Sequence, residues 1–254
     1  MTSVTRISDL STRGFETRSL PREQWDTGDY VVARVSNNHG RLSSLELPDG
    51  RMTEVMEDDL LVGAFGTRAA TLEAVGDWRA IGASGELNAL TAAGLLGMVT
   101  SLSPFLSAPM RLQYQGHAMR NGDKLTMRGS LAPIEMIDFD IPVILIVGTS
   151  MSAGKTTSGR VIVHLLSKMG LKVVGAKLTG AARYRDMLSF KDAGASAVYD
   201  FVDAGLPSSA VDADLYREAL PYLLSLIAQQ QPDVVIAEAG ASPLEPYNGE
   251  IAKE

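Results

Sequence analysis

The sequence contains no cysteine and only three histidines. The first absence removes disulfides, thiolate nucleophiles and Cys-based zinc sites, and it makes a reducing cytoplasm the expected compartment. His39, His117 and His164 lie far apart and show no ligand spacing, so they read as surface or packing residues. Basic residues are the minority: 23 Lys and Arg against 30 Asp and Glu give a formal net charge of -7. Neither a nucleic-acid surface nor an anionic-membrane surface is expected, although the total says nothing of a local pocket. Long hydrophobic runs are also missing. The first 25 residues hold no continuous apolar stretch of signal-peptide length. The run LTAAGLLGMVTSLSPFL at 90–106 is interrupted by Gly94, Gly97 and Pro104, and it falls short of the ~20 residues that cross a bilayer. It reads as a buried helix over about 85–101, with Ser84 as N-cap and Glu86 close behind.

What is present is a soluble globular composition, 45% hydrophobic and 21% charged over 254 residues, enough for one large domain or two ordinary ones. The two halves follow different patterns. Residues 1–27 are polar, contain Pro21 and read as a loosely ordered lead-in. From 28 to 130 the signals are those of a smaller mixed, mostly β domain of unassigned role. Leu42, Leu45 and Leu47 alternate with polar neighbours, Pro48-Asp49-Gly50 is a turn, and Asn121-Gly122 between two apolar runs is a hairpin signal. Residues 131–141 read as a linker, with Pro133 inside it and Pro142 directly after it. From 142 to 254 strand and helix alternate. PVILIVG is a continuous apolar run, expected for a strand buried on both faces. Val161, Leu165, Leu166 and Met169 share a helical stripe that stops at Gly170. LKVVGAKLTG and PDVVIAEAG are further strands, and YREALPYLLSLIAQQQ is a helix with a break or kink at Pro221. The predicted fold class is therefore α/β, a parallel P-loop sheet with flanking helices preceded by the mostly β domain.

The stretch PVILIVGTSMSAGKTTSGR at 142–160 carries the chemistry. In the pattern G-x-x-x-x-G-K-[ST], backbone N–H groups and a helix N-terminus cradle phosphates. Gly154, Lys155 and Thr156 match its end, but Thr149 holds the place of the first glycine and Gly148 stands one residue early. The expected cradle is Gly148, Thr149, Ser150, Met151, Ser152, Ala153, Gly154, Lys155, Thr156 and Thr157. In it Lys155 would reach the β- and γ-phosphates and Thr156 would bind Mg²⁺. Glu238, at the C-terminal end of a buried strand, is expected as a second metal ligand.

Gly-Thr-x-x-x-x-Gly-Lys-Thr resembles the loop of the dethiobiotin synthetase and cobyrinic acid synthetase group of P-loop proteins. Lys177-Leu178-Thr179-Gly180 resembles the lysine and Thr/Ser-Gly turn that end the next strand in that group. Asp233, Glu238, Ala239, Gly240, Ala241 and Pro243 in PDVVIAEAGASPLEP are similar to its third strand. The stretches TSMSAGKTT, LTG and YDFVDAG are also similar to a P-loop family that includes D-glutamate N-acetyltransferases. The resemblance covers about 140–254. It implies that Lys177 clamps the γ-phosphate and acceptor, so that Lys155 and Lys177 are the catalytic pair, and that Thr179 and Gly180 line the acceptor site. RYRDMLSF implies Asp186 as a further metal ligand, ahead of Asp192, while YDFVDAG points to Asp200. Arg183 and Arg185 are available to an anionic acceptor. No strand follows PDVVIAEAG, so the sheet is expected to continue beyond residue 254, with the base-recognition element outside the sequence.

Three functions remain open. The first is an ATP- and Mg²⁺-dependent synthetase or ligase that activates a small carboxylate-type acceptor by phosphoryl transfer, with ATP or another nucleoside triphosphate as cofactor. The second is an acyltransferase whose loop holds the phosphates of acetyl-CoA. The third is a nucleotide-dependent switch or cofactor-assembly adaptor that forms a homodimer. It is disfavoured because Thr149 stands where dimerising switch ATPases carry a lysine.

Overall fold

A computed structural model describes residues 1–37, 44–149, 153–241 and 245–253. The chain divides into two units, Met1–Leu131 with Ala181–Tyr184, and Ala132–Gly180 with Arg185–Glu254. Among the described residues it is mixed α/β, mostly β in the first unit and parallel β with three α-helices in the second. Among the described residues no helix is long and apolar enough to cross a membrane.

The first unit contains β1 (Glu16–Arg18), β2 (Tyr30–Asn37), β3 (Ser44–Glu46), β4 (Met52–Glu54), β5 (Leu60–Phe65), β6 (Thr67–Ala70), β7 (Ala74–Asp77), β8 (Glu86–Ala89), β9 (Leu95–Leu102), β10 (Arg111–Arg120) and β11 (Asp123–Lys124). β3 and β4 pair as a hairpin, and the other nine strands form one sheet in which β1-β10-β2-β5-β9-β7-β6 are successive neighbours. Val31, Val35, Phe65, Leu87, Leu96 and Leu112 belong to its buried core. The Asn121-Gly122 hairpin is present. Arg120 pairs with Asp123, and both turn residues have positive φ, 54° and 92°, the geometry of a primed turn.

Two expectations fail in this unit. The helix over 85–101 is replaced by β8 and β9. The Leu/Ala-rich run follows helix propensity on its own, but partners outside it override that propensity: β8 pairs with β10, and β9 with β5 and β7. Gly97 passes so close to the next chain segment that a β-carbon on it would stand 2.8 Å from Trp78 N. Residues 1–27 are not a loose lead-in either. Val4 and Leu10 are buried, the Thr2 N–H and hydroxyl both donate to Val62 O at 3.1 and 2.7 Å, and β1 pairs with β10. Thr2 fits because Gly94, at φ 90°, has no side chain where the Thr2 hydroxyl lies.

His117 is a core histidine, as a packing role requires. Its Nδ1 lies 2.6 Å from the Tyr114 hydroxyl and its Nε2 3.2 Å from Asp29 Oδ2. Asp29 Oδ2 also accepts from Lys124 Nζ and Asp26 N. His164 is exposed, and His39 lies outside the described residues.

The second unit contains β12 (Val143–Ile146), α1 (Lys155–Lys168), β13 (Val173–Thr179), α2 (Tyr184–Asp192), β14 (Ala197–Asp200), α3 (Ala213–Ala228) and β15 (Val234–Ala239). Four strands form a parallel sheet in the order β12-β15-β13-β14. α3 runs through Pro221 as one helix. Residues 132–142, which include most of the expected linker, carry no helix or strand and lie along α3: the Tyr222 hydroxyl donates to Ala132 O at 2.8 Å and the Ile137 N–H to Ser225 Oγ at 3.0 Å. α1 ends as expected at Gly170, φ 87°.

The buried face of α1 differs from expectation. Val161, Leu165 and Met169 are 53%, 56% and 74% exposed, whereas Lys155, Gly159 and Val163 are buried at i, i+4 and i+8. Phe190 decides the orientation. A β-carbon on Gly159 would stand 2.4 Å from Phe190 Cζ, and one on Gly175 of β13 2.7 Å from Phe190 Cδ2. The ring fills the space between helix and sheet that two glycines leave. β12 is an edge strand among the described residues, with Val143 and Ile144 exposed, so its expected burial on both faces is not found.

Candidate functional site

The C-terminal ends of the four parallel strands bring the charged residues together. One register row runs Ile146, Glu238, Lys177, Asp200 across β12, β15, β13 and β14. Strand ends of this kind are where parallel α/β sheets hold ligands. Glu238, Lys177 and Asp200 are 3%, 5% and 1% exposed, so this row is held in a low-dielectric setting.

Lys155 begins α1, directly after Gly154, which adopts φ 82°. That left-handed conformation suits glycine. The Lys155 side chain is 3% exposed and folds back over Gly148. Burial lowers its pKa from the ordinary lysine value; Glu238 and Glu245 oppose the shift, and Lys177 adds to it. The next residue, Thr156, donates its hydroxyl proton to Glu238 Oε2 at 2.9 Å. Helix start and strand end are thereby tied through the two residues expected at a metal.

Lys177 is enclosed. Its Nζ lies 2.6 Å from Asp186 Oδ2 in the first turn of α2. Burial pulls its pKa down, but Asp186, Glu238 and Asp200 outweigh that, and the net shift is upward. Gly180 and Gly240 frame the end of its side chain: β-carbons there would stand 3.2 and 2.6 Å from Lys177 Cε.

The other expected residues are placed as follows. Thr179 is fully buried; its carbonyl accepts from Gly240 N at 3.0 Å and its Oγ1 from Ala241 N at 3.4 Å. Asp200 Oδ1 accepts from Val202 N at 2.7 Å. Thr149, Ala153 and Thr157 are exposed around the loop, and Arg183, Arg185 and Asp192 are exposed as well. Asp233 sits at the opposite end of β15, where its Oδ2 accepts from Lys172 N at 2.7 Å. Ser150, Met151, Ser152 and Pro243 lie outside the described residues.

Two contributors escaped the sequence reading. Glu245 acts electrostatically on Lys155, and Ser209 hydrogen-bonds the Gly180 turn. Glu245 lies within PDVVIAEAGASPLEP but at none of the positions that carry the resemblance, Ser209 sits in no motif, and no periodicity singles them out. Gly240 was visible only as one member of a pattern; its reason is the close approach of the Thr179 carbonyl oxygen and of Lys177 Cε, 2.4 and 2.6 Å from where a β-carbon would stand.

The oxygens of Thr156 and Glu238 form a hard pair suited to Mg²⁺. Among the described residues no group of three or more His, Asp or Glu is placed to hold a metal. Phosphate oxygens and water would have to complete the shell, the usual arrangement for magnesium. Compared with protein-family models, with curated proteins and with solved structures, the chain matches none.

Proposed function

We propose that the second unit is a P-loop nucleotide-binding unit of the dethiobiotin synthetase and cobyrinic acid synthetase kind, and that it transfers the γ-phosphoryl group of ATP to a small carboxylate acceptor. The observation that carries this reading is the pair of buried ammonium groups, Lys155 and Lys177, beside the Thr156–Glu238 hydrogen bond. Two buried cations, one at the start of α1 and one near the end of β13, suit a ligand of high negative charge, and catalysis of phosphoryl transfer is mainly positioning plus charge stabilisation.

In this reading Lys155 meets the β- and γ-phosphates, and Thr156 and Glu238 hold Mg²⁺. Bound magnesium would neutralise charge on the phosphates. Lys177, aimed by Asp186, meets the γ-phosphoryl oxygens. Asp186 serves Lys177 here, because its Oδ2 already accepts from that amine. A carboxylate oxygen of the acceptor attacks the γ-phosphorus, and the bond to the β,γ-bridging oxygen breaks. The products are an acyl phosphate and ADP. Thr179, Gly180 and Asp200 lie around Lys177, where the acceptor would stand.

Thermal-shift titration with ATP, GTP and acetyl-CoA, each with and without Mg²⁺, tests the reading. The expected result is a nucleotide shift that needs Mg²⁺ and disappears in Lys155→Ala. An acetyl-CoA shift indifferent to Mg²⁺ would favour acyl transfer instead. No shift with any of the three would end the phosphate-loop reading.

A further inference from the structure

One buried hydroxyl joins the loops on either side of the two lysines. Ser209 is fully buried. Its Oγ accepts from the Gly180 N–H at 2.9 Å and donates to Tyr247 O at 2.8 Å. Its own N–H donates to Gly180 O at 2.9 Å, and Asn248 Nδ2 donates to Ser209 O at 2.9 Å. Gly180 is thus gripped by one residue through both its N–H and its C=O.

Gly180 is also the wall against which Lys177 rests. Its φ is 130°, and a β-carbon on it would stand 3.2 Å from Lys177 Cε and 3.8 Å from Nζ. The Gly180 turn therefore borders the Lys177 ammonium on one side, and Asp186 Oδ2 holds it at 2.6 Å. On the other side, Tyr247 is two residues from Glu245, which acts on Lys155.

We infer that Ser209 is a positioning residue that sets the reach of Lys177, and with it the preference of the site for a nucleoside triphosphate over a diphosphate. The inference rests on the phosphate-binding reading above. There, Lys155 serves the β-phosphate that both nucleotides share as well as the γ-phosphate, whereas Lys177 serves the terminal one alone. Loss of the Ser209 hydroxyl frees the Gly180 N–H and the Tyr247 carbonyl from their shared partner, and the turn shifts. The contact unique to the triphosphate is lost and the shared contacts stay.

Calorimetric titration of MgATP and MgADP into the native protein, Ser209→Ala and Gly180→Ala tests this, with cooperative melting as the check on folding. The expected result for both variants is MgATP affinity lowered about tenfold, with MgADP affinity within about twofold of native. Equal losses for both nucleotides, or no loss for either, would overturn the positioning role and leave the phosphate reading standing. A native protein that binds neither nucleotide would remove that reading and this inference with it. Should both variants fail to fold, hydrogen exchange on the native protein decides. Residues 178–182 and 207–211 should be protected more by MgATP than by MgADP, and equal protection would overturn the inference.

Discussion

The aliphatic stem of Lys155 lies across the bare face of Gly148: a β-carbon there would stand 2.9 Å from Lys155 Cγ and 3.0 Å from Cδ. The glycine that stands one residue early therefore has a cause of its own. It clears the path by which the lysine returns from the helix start to the strand end. Gly148→Ala should push the Lys155 ammonium away from Glu238. Overpacking of this kind costs about 1–3 kcal/mol; expressed on binding, that is a loss of MgATP affinity of about tenfold or more. Thr149→Gly, which restores the usual pattern at an exposed position, should give no comparable change. Calorimetric titration of the two variants side by side checks both statements.

Phe190 holds α1 to the sheet through the absence of two side chains. With its ring against Gly159 and Gly175, neither glycine tolerates a methyl group. Phe190→Ala should lower stability by about 3–5 kcal/mol through the cavity it leaves. Gly159→Ala should also destabilise, although alanine is ordinarily the better helix former. Chemical denaturation gives both values. A stabilised Gly159→Ala would mean that the ring has room to move.

The first unit offers a test independent of any nucleotide. Asp29 Oδ2 accepts from His117 Nε2, Lys124 Nζ and Asp26 N, and Asp29 and His117 are almost wholly buried. Asp29→Ala leaves those donors facing a small apolar residue. The expected loss is about 3–5 kcal/mol, as for a buried charge pair deprived of one member, measured as a shift in denaturation midpoint.

In the second unit β12, α1, β13, α3 and β15 were readable because hydrophobic periodicity is local, whereas α2 and β14 between them were missed; Gly154-Lys155-Thr156 was readable because its spacing is short. The face that α1 buries was not. Val161, Leu165 and Met169 form a regular apolar stripe, yet the buried side is the one with Gly159, where Phe190 of a later helix needs room. Ala and Leu between 85 and 101 favour a helix in isolation, but β8 also pairs with β10, and β9 with β5 and β7, outside that run. Ser209 was equally hidden. Its role comes from Gly180 and Tyr247, 29 and 38 positions away. Local grammar reveals elements, whereas close approach between elements reveals which glycines and hydroxyls matter.

Asp186→Asn should expose the electrostatic debt of Lys177. The pKa of Lys177 lies above the ordinary 10.5 because the surrounding carboxylates outweigh burial, Asp186 first among them. For a cation raised in the folded state, the stabilisation is fully present below the ordinary value and is lost as pH rises through the folded value. Removing the Asp186 charge lowers the folded pKa, so the variant has less of this stabilisation to lose. At neutral pH the variant should be weaker by on the order of 2 kcal/mol. Melting temperatures of native protein and variant, followed as pH rises from neutral, should therefore converge on the alkaline side, where the native protein loses its advantage. Parallel curves would show that Asp186 does not set the charge of Lys177.

Lys155 has the opposite displacement, and a bound phosphate should reverse it. Burial holds its pKa below 10.5, so the folded, ligand-free protein gives up this proton more readily than a free lysine does. The cost of the buried ammonium is present below the folded pKa and is relieved as pH rises through it. A phosphate beside the amine favours the charged form and moves the pKa back up. Nucleotide binding should therefore take up protons in the alkaline range just below the ordinary lysine value, and none near neutrality. Lys177, raised already, stays charged throughout and adds nothing. Calorimetry in two buffers of different ionisation enthalpy reads this directly: the apparent binding enthalpies should differ at alkaline pH and coincide at neutral pH. In Lys155→Arg, whose guanidinium stays charged, they should coincide at both. Proton uptake that persists in the arginine variant would assign the proton to another group and place Lys155 away from the phosphate.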